Sequence, residues 1–111
     1  DCKVLVLGIT FKEDCPDIRN SRVIDIINTF EKQGIYVDVH DPHANVHEVK
    51  KEYGFGLVDE EKVGQTKYQA VVLAVAHHNF KLQDWRSCLV DSGVLYDVKG
   101  VLNRNTVDGR L

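Results

Sequence analysis

Gln69-Ala70-Val71-Val72-Leu73-Ala74-Val75-Ala76 is uncharged and apolar after its first residue, with no alternation, so it reads as a strand buried on both faces. Lys3-Val4-Leu5-Val6-Leu7-Gly8 reads the same way. Strands of this kind belong to parallel sheets, whose crossover connections lay helices over both faces. Between the two, the pattern alternates between helix and strand. Asn20 or Ser21 can cap a helix that puts Val23, Ile24, Ile27 and Phe30 on one face and ends at Gly34. A second strand is expected over residues 35–40, closed by Asp41-Pro42. A polar helix over 45–53, a short third strand over 56–58 and a helical turn over 60–63 follow. A short helix around Trp85, read as a lid on the sheet edge, leads into the last strand, 93–98. The expected fold is a single α/β domain over residues 1–111, a Rossmann-like three-layer sandwich. Its sheet is mostly parallel and five-stranded, in the order 3-2-1-4-5.

Composition narrows the function classes. With 43% hydrophobic and 28% charged residues and two prolines, the chain fits a soluble globule. The apolar run 70–76 is far short of the ~20 residues that span a bilayer. A net charge of −3 without a basic block argues against a nucleic-acid partner. Cys2, Cys15 and Cys88 form no CxxC pair, which suits a reduced, cytoplasmic setting; Cys2 and Cys88 read as small core residues. The chain has no methionine and starts almost directly on a strand, so we expect a piece of a longer polypeptide.

Open parallel sheets bind ligands beyond the carboxyl ends of their strands. The first such loop lacks the GxGxxG that would cradle a pyrophosphate, because Gly8 is the only glycine before Gly34. Asp41 then reads as a turn former before Pro42. Lys12 and Arg19 flank the start of the first helix, where free N–H groups and a cation fork favour an anion. The competing reading pairs them on the surface with Glu13, Asp14 or Asp17. His40, His43 and His47 lie near Asp38 and Asp41, but without a metal-binding helix spacing they read as solvated loop histidines, and no metal is expected. His77 and His78, at the end of the buried strand, could bring an acid or base to the cleft near neutral pH; with no partner visible in the sequence, capping or packing is the favoured reading. A phospho-accepting receiver domain has the same element order. It needs acidic residues after the first strand, where this chain has Gly8-Ile9-Thr10.

Gly8-Ile9-Thr10-Phe11-Lys12, followed by Asp17-Ile18-Arg19-Asn20-Ser21, resembles the G-(L/I/F)-(T/A)-F-K and D-x-R-x-S pair of the UDP-glucose/GDP-mannose dehydrogenase family, in its carboxyl-terminal domain. The resemblance continues through Asp41-Pro42, the Ala74-Val75-Ala76-His77 stretch and Asp97-Val98-Lys99-Gly100. Pro16-Asp17-Ile18-Arg19-Asn20 looks most like the branch that oxidises UDP-N-acetylhexosamines for bacterial surface polysaccharides. The resemblance implies that Phe11 and Lys12 contact the nucleotide sugar and that Arg19 reaches across a cleft to NAD. Lys99 stands where family members often carry a substrate-binding arginine, giving a point charge in place of a fork. It also implies that an amino-terminal domain binds most of the NAD, that a central region supports a homodimer, and that the reacting cysteine lies outside this chain. The chain alone is then expected to be inactive, with no catalytic residue of its own. The alternative is a non-catalytic structural or assembly domain with a solvated charged loop.

Overall fold

A computed structural model of the chain describes residues 2–19, 21–100, 102 and 107–110. Strand β1 (Lys3–Leu7) forms the centre, pairing with β2 (Tyr36–His40) on one side and β3 (Tyr68–Leu73) on the other. Strand β4 (Leu89–Asp97) lies beyond β3, so the four full strands run β2-β1-β3-β4. A two-residue strand, β5 (Gly109–Arg110), adds to the outer side of β4, and every described ladder is parallel.

The strand expected over 56–58 is absent, which removes it from the expected order. The segment makes one ladder-like bond, Val58 N–H to the Val39 carbonyl at 2.9 Å, and the Val58 carbonyl then pairs with His40 Nδ1 at 2.9 Å. A side chain takes the acceptor that a further ladder bond would need, and Asp59 turns the chain at once into a helix by accepting from Lys62 N–H. The fifth, two-residue strand comes instead from the tail beyond Gly100, where no periodicity announced it.

Both faces of the sheet are covered. Val4, Val6, Val39 and Val72 point to one side, against Val23 and Ile27 of α1 (Val23–Lys32) and Val49 of α2 (Val46–Tyr53). Leu5, Leu7, Val71, Leu73 and Leu95 point to the other, against Val63 of α3 (Glu60–Gln65), Phe80 of α4 (His78–Lys81) and the 3-10 turn Trp85–Cys88. This odd–even split of β1 is what an uninterrupted apolar strand requires. Trp85 is no edge lid. It is buried, meets Phe80 edge-on at 5.7 Å and donates its indole N–H to the Phe80 carbonyl at 2.8 Å.

The helix ends follow their sequence signals. Asn45 caps α2 by accepting from His47 and Glu48 N–H, and Gly34 and Gly54 supply left-handed residues after α1 and α2. Ser21 Oγ accepts from Val23 N–H at 3.3 Å at the start of α1; Asn20 lies outside the described residues. The three cysteines are free: Cys88 is buried and Cys15 half-buried, but Cys2 is exposed and not a core residue, because it precedes the first paired position of β1. No helix of the described residues is long and apolar enough to cross a membrane.

Candidate functional site

The carboxyl ends of β1, β3 and β4 open into one cleft of about 390 Å³, the size range of small-ligand sites. Phe11 and Lys12 enter it from the loop after β1, and Lys99 from the loop after β4. Arg22, at the amino end of α1, adds a third cation; Val23, Ile26, Val75 and Val98 form the apolar wall. Three cations at a helix amino terminus, against one lining carboxylate, Glu13, make a site suited to an anion with an apolar portion. Phe11 is 59% exposed where it lines this cleft, so its ring is open to contact from outside the chain.

Sequence reasoning reached Phe11, Lys12 and Lys99 and missed Arg22. The signal for Arg22 was its place directly before the apolar stripe of α1, at the same helix terminus. Arg19 does not join the cleft. It lies 77% exposed and forks onto its neighbour Asp17, Nε to Oδ1 at 3.0 Å and Nη2 to Oδ2 at 3.1 Å, the surface pairing considered for it above. The guanidinium, with the Arg19 N–H, holds the Asp17 carboxyl down to about 2.

Each loop of the cleft is anchored by a buried aspartate. Asp97, fully buried at the end of β4, accepts the N–H groups of Lys99 at 3.0 Å, Gly100 at 2.8 Å and Leu102 at 2.7 Å. Asp41, at the end of β2, accepts Ile9 and Thr10 N–H through Oδ2 and His43 N–H through Oδ1. Asp41 therefore forms the expected turn and also fixes the first loop. Burial pushes its carboxyl up, but the hydrogen bonds from His77, Ile9 and His43 outweigh that and hold it below the usual range.

The histidines correct the expectation of solvated loops. His40 is buried through its bond to Val58, His43 is half-buried with its ring 4.4 Å from that of His77, and only His47 is exposed among these. His77 is fully buried. Its Nδ1 accepts Asp14 N–H at 2.8 Å, so the ring proton sits on Nε2, facing Asp41 Oδ2 at 2.9 Å and Thr10 Oγ1 at 3.1 Å. Asp14 Oδ1 in turn accepts His78 N–H at 2.8 Å. Asp14, His43 and His77 bring ligand-type atoms within 4.8 Å of one another, but both His77 nitrogens are committed to these hydrogen bonds, which is a network and not an open metal site.

Gly8 has a packing job. At φ +99 it lies so close to β3's continuation that an added Cβ would stand 2.5 Å from Val75 Cβ. The glycine serves the approach of loop and strand, and α1 starts only at Val23, so the first loop of this chain does not fit a dinucleotide pyrophosphate.

Comparison with known proteins extends these observations. The UDP-N-acetyl-D-glucosamine 6-dehydrogenase of Salmonella typhi is 45% identical over 97% of the chain, and the protein of that name from Pseudomonas aeruginosa 39% identical over 98%. The chain spans about a quarter of the length of these curated relatives, 26% in both cases. Among solved structures, the UDP-N-acetyl-mannosamine dehydrogenase Cap5O from Staphylococcus aureus superposes with a TM-score of 0.74 at 24% identity, over 99% of this chain and 26% of that one. A UDP-glucose dehydrogenase from Pyrobaculum islandicum gives 0.75 at 23%, over 98% and 24%. At such identities the likeness is one of fold. The family model for the UDP binding domain matches residues 5–104, a span that holds the cleft and both anchoring aspartates. By that match and by its relatives, the chain belongs to the UDP-glucose/GDP-mannose dehydrogenase family, as its UDP-binding domain.

Proposed function

We propose that the chain is the nucleotide-sugar-binding part of a longer NAD-dependent UDP-sugar 6-dehydrogenase, acting on a UDP-N-acetylhexosamine for surface polysaccharide synthesis. The observation that carries this reading is the convergence of Phe11, Lys12, Arg22 and Lys99 on one cleft at the strand ends. A uridine diphosphate has the matching parts: a flat base for Phe11 and the apolar wall, and two phosphates for the cations. The names of the two most similar relatives given above support the N-acetylhexosamine branch.

In this reading Lys12 and Lys99 hold the diphosphate, and Phe11 covers the nucleotide. Arg19, standing outside the cleft on the exposed side, contacts NAD bound chiefly by the rest of the polypeptide, which also supplies the reacting cysteine and the homodimer contacts. Closing two parts over the ligands removes water and strengthens each charge contact. This chain's share is to bind and orient the substrate, not to move its hydride. The free thiols fit a cytoplasmic enzyme.

The test is NADH formation by the polypeptide that carries the chain, offered UDP-glucose, UDP-N-acetylglucosamine, UDP-N-acetylgalactosamine and UDP-N-acetylmannosamine in turn. About two NADH per sugar are expected with an N-acetylhexosamine, since alcohol to carboxylate is a four-electron oxidation and each NAD takes two. Lys12→Ala is expected to weaken UDP binding at least about tenfold, the loss of one charge-assisted bond. No turnover with any sugar, and unchanged UDP affinity in Lys12→Ala, would make this a structural or assembly domain.

A further inference from the structure

The loop that carries Phe11 and Lys12 has little apolar burial of its own. Residues 11–14 are all exposed, and Ile9 and Ile18, at its two ends, are its buried apolar residues. Something else must hold its tip. Phe11 N–H closes the loop onto the Asp17 carbonyl at 2.6 Å, and Thr10 Oγ1 donates to the Lys12 carbonyl at 3.0 Å. The tip is tied to the segment after β3, at the start of α4, through Asp14, which donates its N–H to His77 Nδ1 and accepts His78 N–H, both at 2.8 Å. These two bonds cross between the same two segments in opposite directions.

Asp14 is also the one non-glycine residue with positive φ, +55, among the described residues. That conformation is unfavourable for an L-residue, though aspartate tolerates it better than most, and it persists where surrounding contacts fix it. His77 is suited to be the fixed partner. It has no exposure, and its tautomer is set by Asp41, so its Nδ1 presents only a lone pair. A buried imidazole with both nitrogens engaged accepts one loop arrangement and penalises others.

We propose that Asp14 and His77 are positioning residues for the nucleotide contact, a clamp that holds the Phe11–Lys12 loop in its binding shape before ligand arrives. The proposal rests on the UDP-binding role assigned above to Phe11 and Lys12. Neither clamp residue lines the cleft, so each acts through the loop. Preorganisation of this kind lowers the ordering cost that binding would otherwise carry.

The two histidine nitrogens can be separated by substitution. In His77→Asn the side-chain oxygen stands close to the Nδ1 position and still accepts from Asp14 N–H. In His77→Gln the amide nitrogen stands near Nε2, keeps the Asp41 bond and loses the Asp14 one. UDP and NAD affinities of the full polypeptide are measured by calorimetry. The dissociation constant for UDP is expected to rise about tenfold in His77→Gln and Asp14→Ala and to stay within about threefold in His77→Asn and Asp14→Asn, with NAD binding unchanged.

Equal losses in His77→Asn and His77→Gln, or parallel losses of UDP and NAD binding, would overturn the clamp in favour of a general packing role. If His77→Gln does not fold, the Asp14 pair, on an exposed residue, decides the matter. Unchanged UDP binding in Asp14→Ala alongside weakened binding in Lys12→Ala would sink the clamp and leave the UDP reading intact. Unchanged binding in both variants would remove both.

Discussion

The Ile9 amide donates to the Asp41 carboxylate at 2.7 Å, joining two residues that stand 32 apart in the chain and lie just beyond the ends of neighbouring strands. Thr10 N–H and His77 Nε2 converge on the same Oδ2, and His43 N–H takes Oδ1. One buried charge thus ties the loop after β1, the turn after β2 and the segment after β3 into a single platform beside the cleft.

Asp41→Asn replaces one acceptor oxygen with a donor that faces an N–H on either side. We expect a loss of about 2–4 kcal/mol, the sum of a charge-assisted bond and a buried donor left unpaired. The sign of the pH effect follows from the lowered carboxyl. The unfolded chain binds this proton more readily than the fold does, so the stabilisation is complete above the ordinary carboxylate range and drains away as pH falls through the folded value. Urea midpoints at neutral pH and near pH 3 check this. The gap between wild type and Asp41→Asn should narrow in acid, and a gap that stays constant would contradict it.

Gly8→Ala tests the close approach behind the platform. The substitution meets both a positive φ, +99, and a Cβ contact of 2.5 Å with Val75 Cβ, backed by the Val75 backbone nitrogen at 3.0 Å. The conformational cost and the overpacking together amount to about 2–5 kcal/mol. Gly54→Ala is the matched control, because it shares the positive φ and has no neighbour within 4 Å. Its smaller loss, measured by the same denaturation, isolates the clash.

The parts of this fold that the sequence made legible are those decided by local pattern. Val4-Leu5-Val6-Leu7 and Val71-Val72-Leu73 are apolar because both faces are covered, and no other element needs that. Phe11 and Lys99 were singled out by the family resemblance, and Lys12 also by its place in the charged loop before a helix; that all three line one cleft follows from the convergence of strand ends in a parallel sheet. Residues 56–58 misled because Phe55 and Leu57 pack against the core without their backbones joining the ladder. The roles of His77 and Asp14 were beyond sequence: the residues are 63 apart, and a tautomer is fixed only by tertiary neighbours.

Arg19 is free to answer a different question, because its pairing with Asp17 is local and exposed. In Arg19→Ala the side-chain fork is gone while the residue-19 N–H bond to Asp17 remains. The Asp17 carboxyl should move up from about 2 toward the ordinary range without fully reaching it. Carboxyl-carbon NMR through an acid titration reads this directly. Thermal stability at neutral pH should change little, as for most exposed ion pairs. If Arg19 also contacts NAD, only the full polypeptide's affinity for NAD, and not its affinity for UDP, should fall in this variant.

Lys99 offers the sharpest contrast within the cleft, because its backbone and its side chain have separate duties. The backbone N–H belongs to the Asp97 carboxylate, together with those of Gly100 and Leu102, so the loop's shape does not depend on the lysine side chain. Lys99→Ala should therefore leave stability close to wild type while weakening UDP binding by about tenfold, the loss of one charge-assisted contact with phosphate. The deficit should shrink as salt rises, since an exposed charge is screened within about 8–10 Å at physiological ionic strength. Lys99→Arg separates charge from geometry: binding at or somewhat above wild type is expected, because a guanidinium can engage two phosphate oxygens at once. Calorimetric titration with UDP at two salt concentrations distinguishes these cases. A salt-independent loss in Lys99→Ala, or an Arg variant as weak as the Ala one, would mean that the side chain shapes the cleft and does not hold the phosphate.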